Sequence, residues 1–236
     1  MKKYILTLAL ATAQMVLMAQ TVNVHFKNGQ TINYPSDNVD YVDFSEKTPS
    51  PTLTAGAVVD LGLSVYWASC NLGAEKPEES GDYYAWGETK PKSNYSEYNY
   101  SYYDANTTVM TDIGNDISGT QFDAATVNLG SDWRMPTKIE MKELMDNCEW
   151  KWSQINNING YVVTGKNGNS IFLPAACLAN FNGPLKDINL YYATSTLEER
   201  QVRCLFGYSA DKRLDYVSRI FGLTIRPVTS NLNAGR

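Results

Sequence analysis

Four cysteines, one histidine and carboxylates such as two close pairs are side chains in this 236-residue chain with the types for redox, nucleophilic or acid–base work. Cys70, Cys148, Cys177 and Cys204 include no Cys-x-x-Cys spacing, and His25 lies far upstream of all four. A zinc cluster and a Cys–His nucleophile pair therefore both lack their parts. In an exported chain four cysteines read as two disulfides, with three pairings open. Glu198 with Glu199, and Asp112 with Asp116, have the residue types of an acid–base couple. Nothing in the sequence places either pair in a cleft, and adjacent carboxylates usually solvate a loop. The stretch Asp112-Ile-Gly-Asn-Asp-Ile-Ser-Gly119 is rich in oxygen ligands but lacks the spacing of a calcium loop. The chain is expected to use no metal and no cofactor, and to bind rather than catalyse.

Two segments have the composition of a binding surface. Tyr95-Ser-Glu-Tyr-Asn-Tyr-Ser-Tyr-Tyr103 carries the Tyr/Ser/Asn mixture that gives contact area at low entropic cost, although the same rings serve equally to pack a loop over a core. The second segment runs from Leu178 to Arg219 and is expected to present ligand contacts on loops through Asn180, Phe181, Asn182, Tyr191, Arg200, Lys212, Arg213 and Tyr216. Its cations stand out in an acidic chain and suit an acidic or polyhydroxylated partner. An extracellular glycan or a surface protein fits that description.

The elements that position these residues begin after an export signal. Lys2 and Lys3, the apolar run Tyr4–Ala13 and the small-residue cut after Ala19 make residues 1–19 a cleaved signal peptide, too short for a membrane span. Cleavage leaves 18 basic against 25 acidic residues, a net charge of −7, which disfavours nucleic acid and anionic membrane as partners. No cysteine stands at the cut to be acylated, so the product is expected to be exported, to the periplasm, the cell surface or the medium, without a lipid. Residues 20–45 alternate as a small β-hairpin module, with Asn28-Gly29 as the turn, His25 on the polar side and a further strand at Val39–Phe44. Such a module needs a partner to pack on, so surface assembly through its strand edges is the alternative function. Thr48-Pro-Ser-Pro-Thr52 marks a linker over 46–57.

The main domain, 58–229, reads as α+β. Thr137 with Glu140 forms a capping box, and Met141, Leu144, Met145 and Cys148 follow at helical spacing, which predicts a helix over Lys138–Asn147. A shorter helix is expected at Asp123–Asn128, stopped by Gly130. Residues 77–119 read as a long ordered loop. Short strands are expected on both sides of Gly62 and at 160–164, 170–174, 190–194, 202–206 and 223–228, with a flexible tail at 230–236. Trp67, Trp86 and Trp133 read as core anchors whose indole N–H seeks a loop carbonyl. Arg134 reads as a clasp onto Asp132 or Glu140.

Val59-Asp-Leu-Gly-Leu-Ser-Val-Tyr-Trp-Ala-Ser-Cys-Asn-Leu-Gly-Ala74, Gly81-Asp-Tyr-Tyr-Ala-Trp-Gly-Glu-Thr89, Trp133-Arg-Met-Pro-Thr137, Asn169-Ser-Ile-Phe-Leu-Pro-Ala175 and Ile225-Arg-Pro-Val228 resemble, in this order, the Fibrobacter succinogenes major paralogous domain. The resemblance implies a C-type-lectin-like fold: one main capped helix, a short second helix, twisted antiparallel strands and long loops. It also implies export in Bacteroidetes-like bacteria. The Trp-Arg-x-Pro-Thr segment is similar to the formylglycine-generating family, but that chemistry needs a free thiolate pair. The Glu-Pro-Asn, Gln-Pro-Asp and Trp-Asn-Asp strings of calcium-dependent lectins do not occur. The resemblance further implies a Cys70–Cys148 bridge, worth about 4 kcal/mol in the chain-entropy model, which leaves Cys177 to pair with Cys204.

Overall fold

The computed structural model describes residues 21–25, 31–35, 57–185 and 189–234. The signal sequence, the Asn28-Gly29 turn, the strand expected at Val39–Phe44, the linker and the His25 side chain lie outside the described residues. The chain divides into two compact units, Met1–Ser50 and Pro51–Arg236. In the first, β1 (Thr21–His25) and β2 (Thr31–Pro35) pair antiparallel, with Thr21 opposite Pro35 and His25 opposite Thr31.

The second unit is α+β, built mostly of small antiparallel sheets with few helices. β3 (Val58–Val59) and β4 (Tyr66–Ala68) pair near its start. β15 (Val228–Thr229) returns from its end to the other side of β4, so the two ends of the unit share one sheet. Between them lie a 3-10 turn at Glu97–Asn99 and the hairpin β5 (Tyr103–Asp104) with β6 (Val109–Met110). Helices α1 (Ala124–Leu129) and α2 (Lys138–Asn147) follow. The sheet β7 (Glu149–Ile155), β8 (Ile158–Thr164), β9 (Ser170–Pro174) comes next. After the short pair β10 (Ala179–Asn180) and β11 (Gly183–Pro184) comes a meander of β12 (Leu190–Glu198), β13 (Gln201–Tyr208) and β14 (Asp211–Ser218).

Both helices start where local chemistry supplies acceptors for their free N–H groups. At α2, Thr137 Oγ1 accepts from Glu140 N, and Glu140 Oε2 accepts from Thr137 N at 2.8 Å, the reciprocal box expected from the sequence. Arg134 reaches the same carboxylate with both arms, Nη1 at 2.8 Å and Nη2 at 2.5 Å. Burial pushes the Glu140 carboxyl up, but Arg134 and Thr137 outweigh it and leave the group below its ordinary range. The Arg134 clasp therefore closes on Glu140, and Asp132 takes Asn231 instead.

Strand period decides the core. Alternate residues of the β12–β14 meander point to opposite faces. Leu190, Tyr192 and Leu205 join one cluster with Trp67, Met141, Leu144, Val163 and Ile171. Ala193, Leu197, Val202, Cys204 and Val217 join a second with Trp86, Ile117, Met135 and Leu223. The meander is thus the shared wall between the two halves of the core. All three expected tryptophan anchors are buried. Trp86 Nε1 donates to the Ser195 carbonyl at 3.0 Å, whereas Trp67 Nε1 is buried without a partner.

Glu149–Ile155, left unassigned by the sequence reading, is a strand, turned into β8 by Asn156 and Asn157, which both adopt positive φ as such two-residue hairpins require. Three sequence expectations are corrected. Asp211–Ser218 is a strand too. The expected strand at 223–228 is reduced to single bridges at Leu223 and Thr224 before β15. The tail is partly anchored, since Ala234 is buried against Ala68 and Trp133.

The β12–β13 turn puts Glu199 and Arg200 at φ 51° and 64°, a conformation that disfavours any Cβ other than that of Asn or Asp. Replacing them as Glu199→Asn with Arg200→Gly is expected to raise stability by about 1 kcal/mol. The check is a higher urea midpoint at unchanged slope; a lower midpoint contradicts the strained turn.

Candidate functional site

The segment expected to display ligand-binding loops is instead mostly the β12–β14 meander, and this separates the eight predicted residues. Register sets Tyr191 opposite Phe206, and Phe206 opposite Arg213, so these three lie in one row on one face. The Tyr191 and Phe206 ring centroids are 4.9 Å apart, Tyr208 follows Phe206 at 6.0 Å, and the Arg213 guanidinium lies over Phe206 at 4.5 Å. Arg213 is fixed edge-on by two carboxylates, Asp215 through Nη2 at 2.9 Å and Asp211 through Nη1 at 3.3 Å. The other half of this face is buried in the second core cluster. At the end of this face Tyr191, Phe206 and Tyr208 are half-buried, Tyr191 still packed on that cluster, and Arg213 is exposed.

Tyr216 and Lys212 belong to the opposite face. The Tyr216 ring receives Arg203 at 4.0 Å, and Lys212 Nζ lies 5.2 Å from the Trp150 ring. Arg200 sits on the β12–β13 turn. Asn180 and Asn182 build the β10–β11 turn, where Asn180 Oδ1 accepts from Asn182 N at 2.9 Å, and Phe181 projects from it, 68% exposed. The expected basic site therefore does not assemble: its three cations are dispersed, and Arg213 already has two anionic partners. What the row offers is a strip of half-buried, mutually tilted aromatic rings edged by a guanidinium held between two carboxylates. Sequence reasoning missed Phe206 and Tyr208, although the alternation Val202, Cys204, Phe206, Tyr208 was there to read once β13 was assigned.

Comparison with known proteins finds no matching family model, curated protein or solved structure.

The other candidates resolve as structure. No disulfide joins Cys70 to Cys148 or Cys177 to Cys204 in this structure. Cys204 belongs to the second core cluster, where its Sγ contacts the Asp215 carbonyl at 3.7 Å and burial pushes the thiol up to about 12. Cys148 packs on the first cluster, and burial raises its pKa as well. Protonated thiols in packed surroundings are poor nucleophiles. Glu198 pairs with Lys138 and, at 3.4 Å, with Arg203. Asp112 and Asp116 each accept a backbone N–H two residues on, from Gly114 and Ser118, which is turn chemistry. Tyr95 and Tyr100 are buried: Tyr100 donates to the Trp86 carbonyl at 2.7 Å, and burial raises Tyr95 to about 12. Only Tyr98 of the expected tyrosine surface is strongly exposed, at 82%.

Proposed function

We propose that this chain is an exported, non-catalytic binding or adhesion module, C-type-lectin-like in its main domain, that recognises an extracellular glycan or surface protein without a metal. It does so with the partly exposed half of one β12–β14 face rather than with loops. The observation that carries this reading is the in-register row Tyr191, Phe206, Arg213. Large flat rings with few rotatable bonds, beside an arginine already held in place, match the residue types that dominate recognition surfaces. Because Arg213 is pinned before any ligand arrives, little side-chain entropy is lost on binding. The pairing of the domain's first and last strands, with long loop segments between, supports the lectin-like reading.

Binding of the purified chain to immobilised surface polysaccharides and surface proteins tests this. Tyr191→Ala is expected to weaken binding by about 30-fold, the size of a truncated aromatic anchor. Tyr216→Ala, on the opposite face, should change it less than about twofold. The reverse pattern contradicts the assignment.

A second reading, subunit of a surface fibre, is supported by β1 and β2, whose two-stranded sheet has an unpaired outer edge on each strand among the described residues. β14, at the edge of its sheet, instead carries Asp211, Lys212, Arg213 and Asp215, charges that discourage strand addition there. Concentration-dependent polymers would favour the fibre reading; a chain that stays unassembled while binding favours the first.

A further inference from the structure

A cavity of about 640 Å³, remote in sequence from the β12–β14 row, is walled by Gly87–Lys92, Ser101, Tyr102, Gln121 and Phe122. Its volume lies in the range of small-molecule sites. Tyr102 and Phe122 meet edge to face at 5.7 Å and make an apolar corner. The corner depends on Gly87, at φ 87°, where a Cβ would fall 2.4 Å from Ile113 Cδ1 and 3.1 Å from Tyr102. Tyr102 Oη donates to the Gly87 carbonyl at 3.1 Å, which orients the ring. Glu88 is 7% exposed and fully committed: one oxygen accepts from Ser101 N and Oγ at 2.8 and 2.7 Å, and the other pairs with Lys92 at 2.5 Å. The wall is therefore preorganised before a ligand enters.

The uncommitted polar groups define what fits. Lys90 is exposed and makes no ion pair with the described residues, and Gln121, also exposed, lies on the same lining. With Glu88 neutralised by Lys92, the pocket keeps one net positive charge in an acidic chain. An apolar corner beside an amide and a free ammonium matches a ligand with a C–H face, hydroxyls and one carboxylate. We propose that this pocket binds an acidic sugar unit: its C–H face against Phe122 and Tyr102, its hydroxyls at Gln121 and its carboxylate at Lys90.

Ligand-observed NMR titration of the mature chain with sodium glucuronate, glucose and sodium acetate tests this. Glucuronate is expected to bind in the millimolar range or better, glucose about tenfold more weakly, and acetate to leave bound glucuronate in place. Lys90→Gln, at an exposed position that folding does not need, should bring glucuronate down to the level of glucose. Gln121→Ala should weaken both sugars, and Tyr191→Ala should leave this titration unchanged, which keeps it separate from the sheet-face reading. Absence of glucuronate binding, displacement by acetate alone, or a Lys90→Gln titration equal to wild type overturns the proposal.

Discussion

Replacing Arg226 with methionine is expected to destabilise the main domain by about 3–5 kcal/mol, a fall of roughly 10 °C in Tm. The side chain is fully buried and has no carboxylate partner. It is held by oxygens from three parts of the chain. Nε donates to Asn71 Oδ1 at 2.8 Å, Nη1 to the Ala68 and Ser69 carbonyls at 3.1 and 2.6 Å, and Nη2 to the Phe172 carbonyl at 2.7 Å. Burial lowers the pKa of the guanidinium from its usual value, which is the cost of keeping a charge there. Methionine fills similar space and removes that cost, but it leaves three carbonyls and an amide without a donor. Their loss outweighs the relief, because an unpaired buried acceptor costs about 1–3 kcal/mol. Lysine is not expected to rescue, since one ammonium cannot reproduce a planar fork directed at both the β4 end and β9. Thermal and urea unfolding check this; a methionine variant within about 1 kcal/mol of wild type contradicts it.

Asp123→Asn is expected to cost about 2–4 kcal/mol, nearly as much as Asp123→Ala. The carboxylate is fully buried and accepts four backbone N–H groups. Oδ1 takes Ala125 and Thr126 at 2.8 and 3.1 Å, and so caps α1. Oδ2 takes Gly119 and Met135 at 2.9 and 2.8 Å, and so ties two loops to that helix. Burial raises the pKa of this group, although all four N–H donors act to lower it. An asparagine keeps one oxygen but turns its NH2 toward two N–H groups, which places donors against donors. Because Gln121 and Phe122 immediately precede Asp123, the same change should slacken one wall of the pocket. Asparagine as stable as aspartate in urea unfolding would contradict this account.

How much of this was legible in the sequence depended on how local the signal was. The span and capping box of α2 could be read because their determinants lie within four residues of one another. α1 could be read from Asp123 and Gly130 for the same reason. β14 could not: an edge strand written Asp-Lys-Arg-Leu-Asp-Tyr-Val-Ser carries the charges that protect its open side, and those charges read as a loop. That one strand accounts for the error in the site, since without it Arg213 and Tyr216 seemed to share a surface. Once β14 pairs with β13, their separation by three residues puts them on opposite faces. Phe206 went unnoticed because it becomes a surface group only where the second core ends beneath it. Arg226 drew attention only as part of Ile225-Arg-Pro-Val228, since nothing local tells a buried arginine from an exposed one. The pocket joins Lys90 to Phe122 across a long loop that the sequence marked as ordered without saying what it encloses.

The most direct test of the central claim is an array of extracellular polysaccharides and surface proteins probed in EDTA with the purified chain and with its Tyr191→Ala/Phe206→Ala double variant, both carrying Lys90→Gln so that the acidic-sugar pocket does not contribute. The account predicts a signal that survives EDTA with the row intact and is lost in the double variant, whose fold is checked by an unchanged circular dichroism spectrum. A signal that needs calcium, or one that the folded double variant retains undiminished, would contradict it.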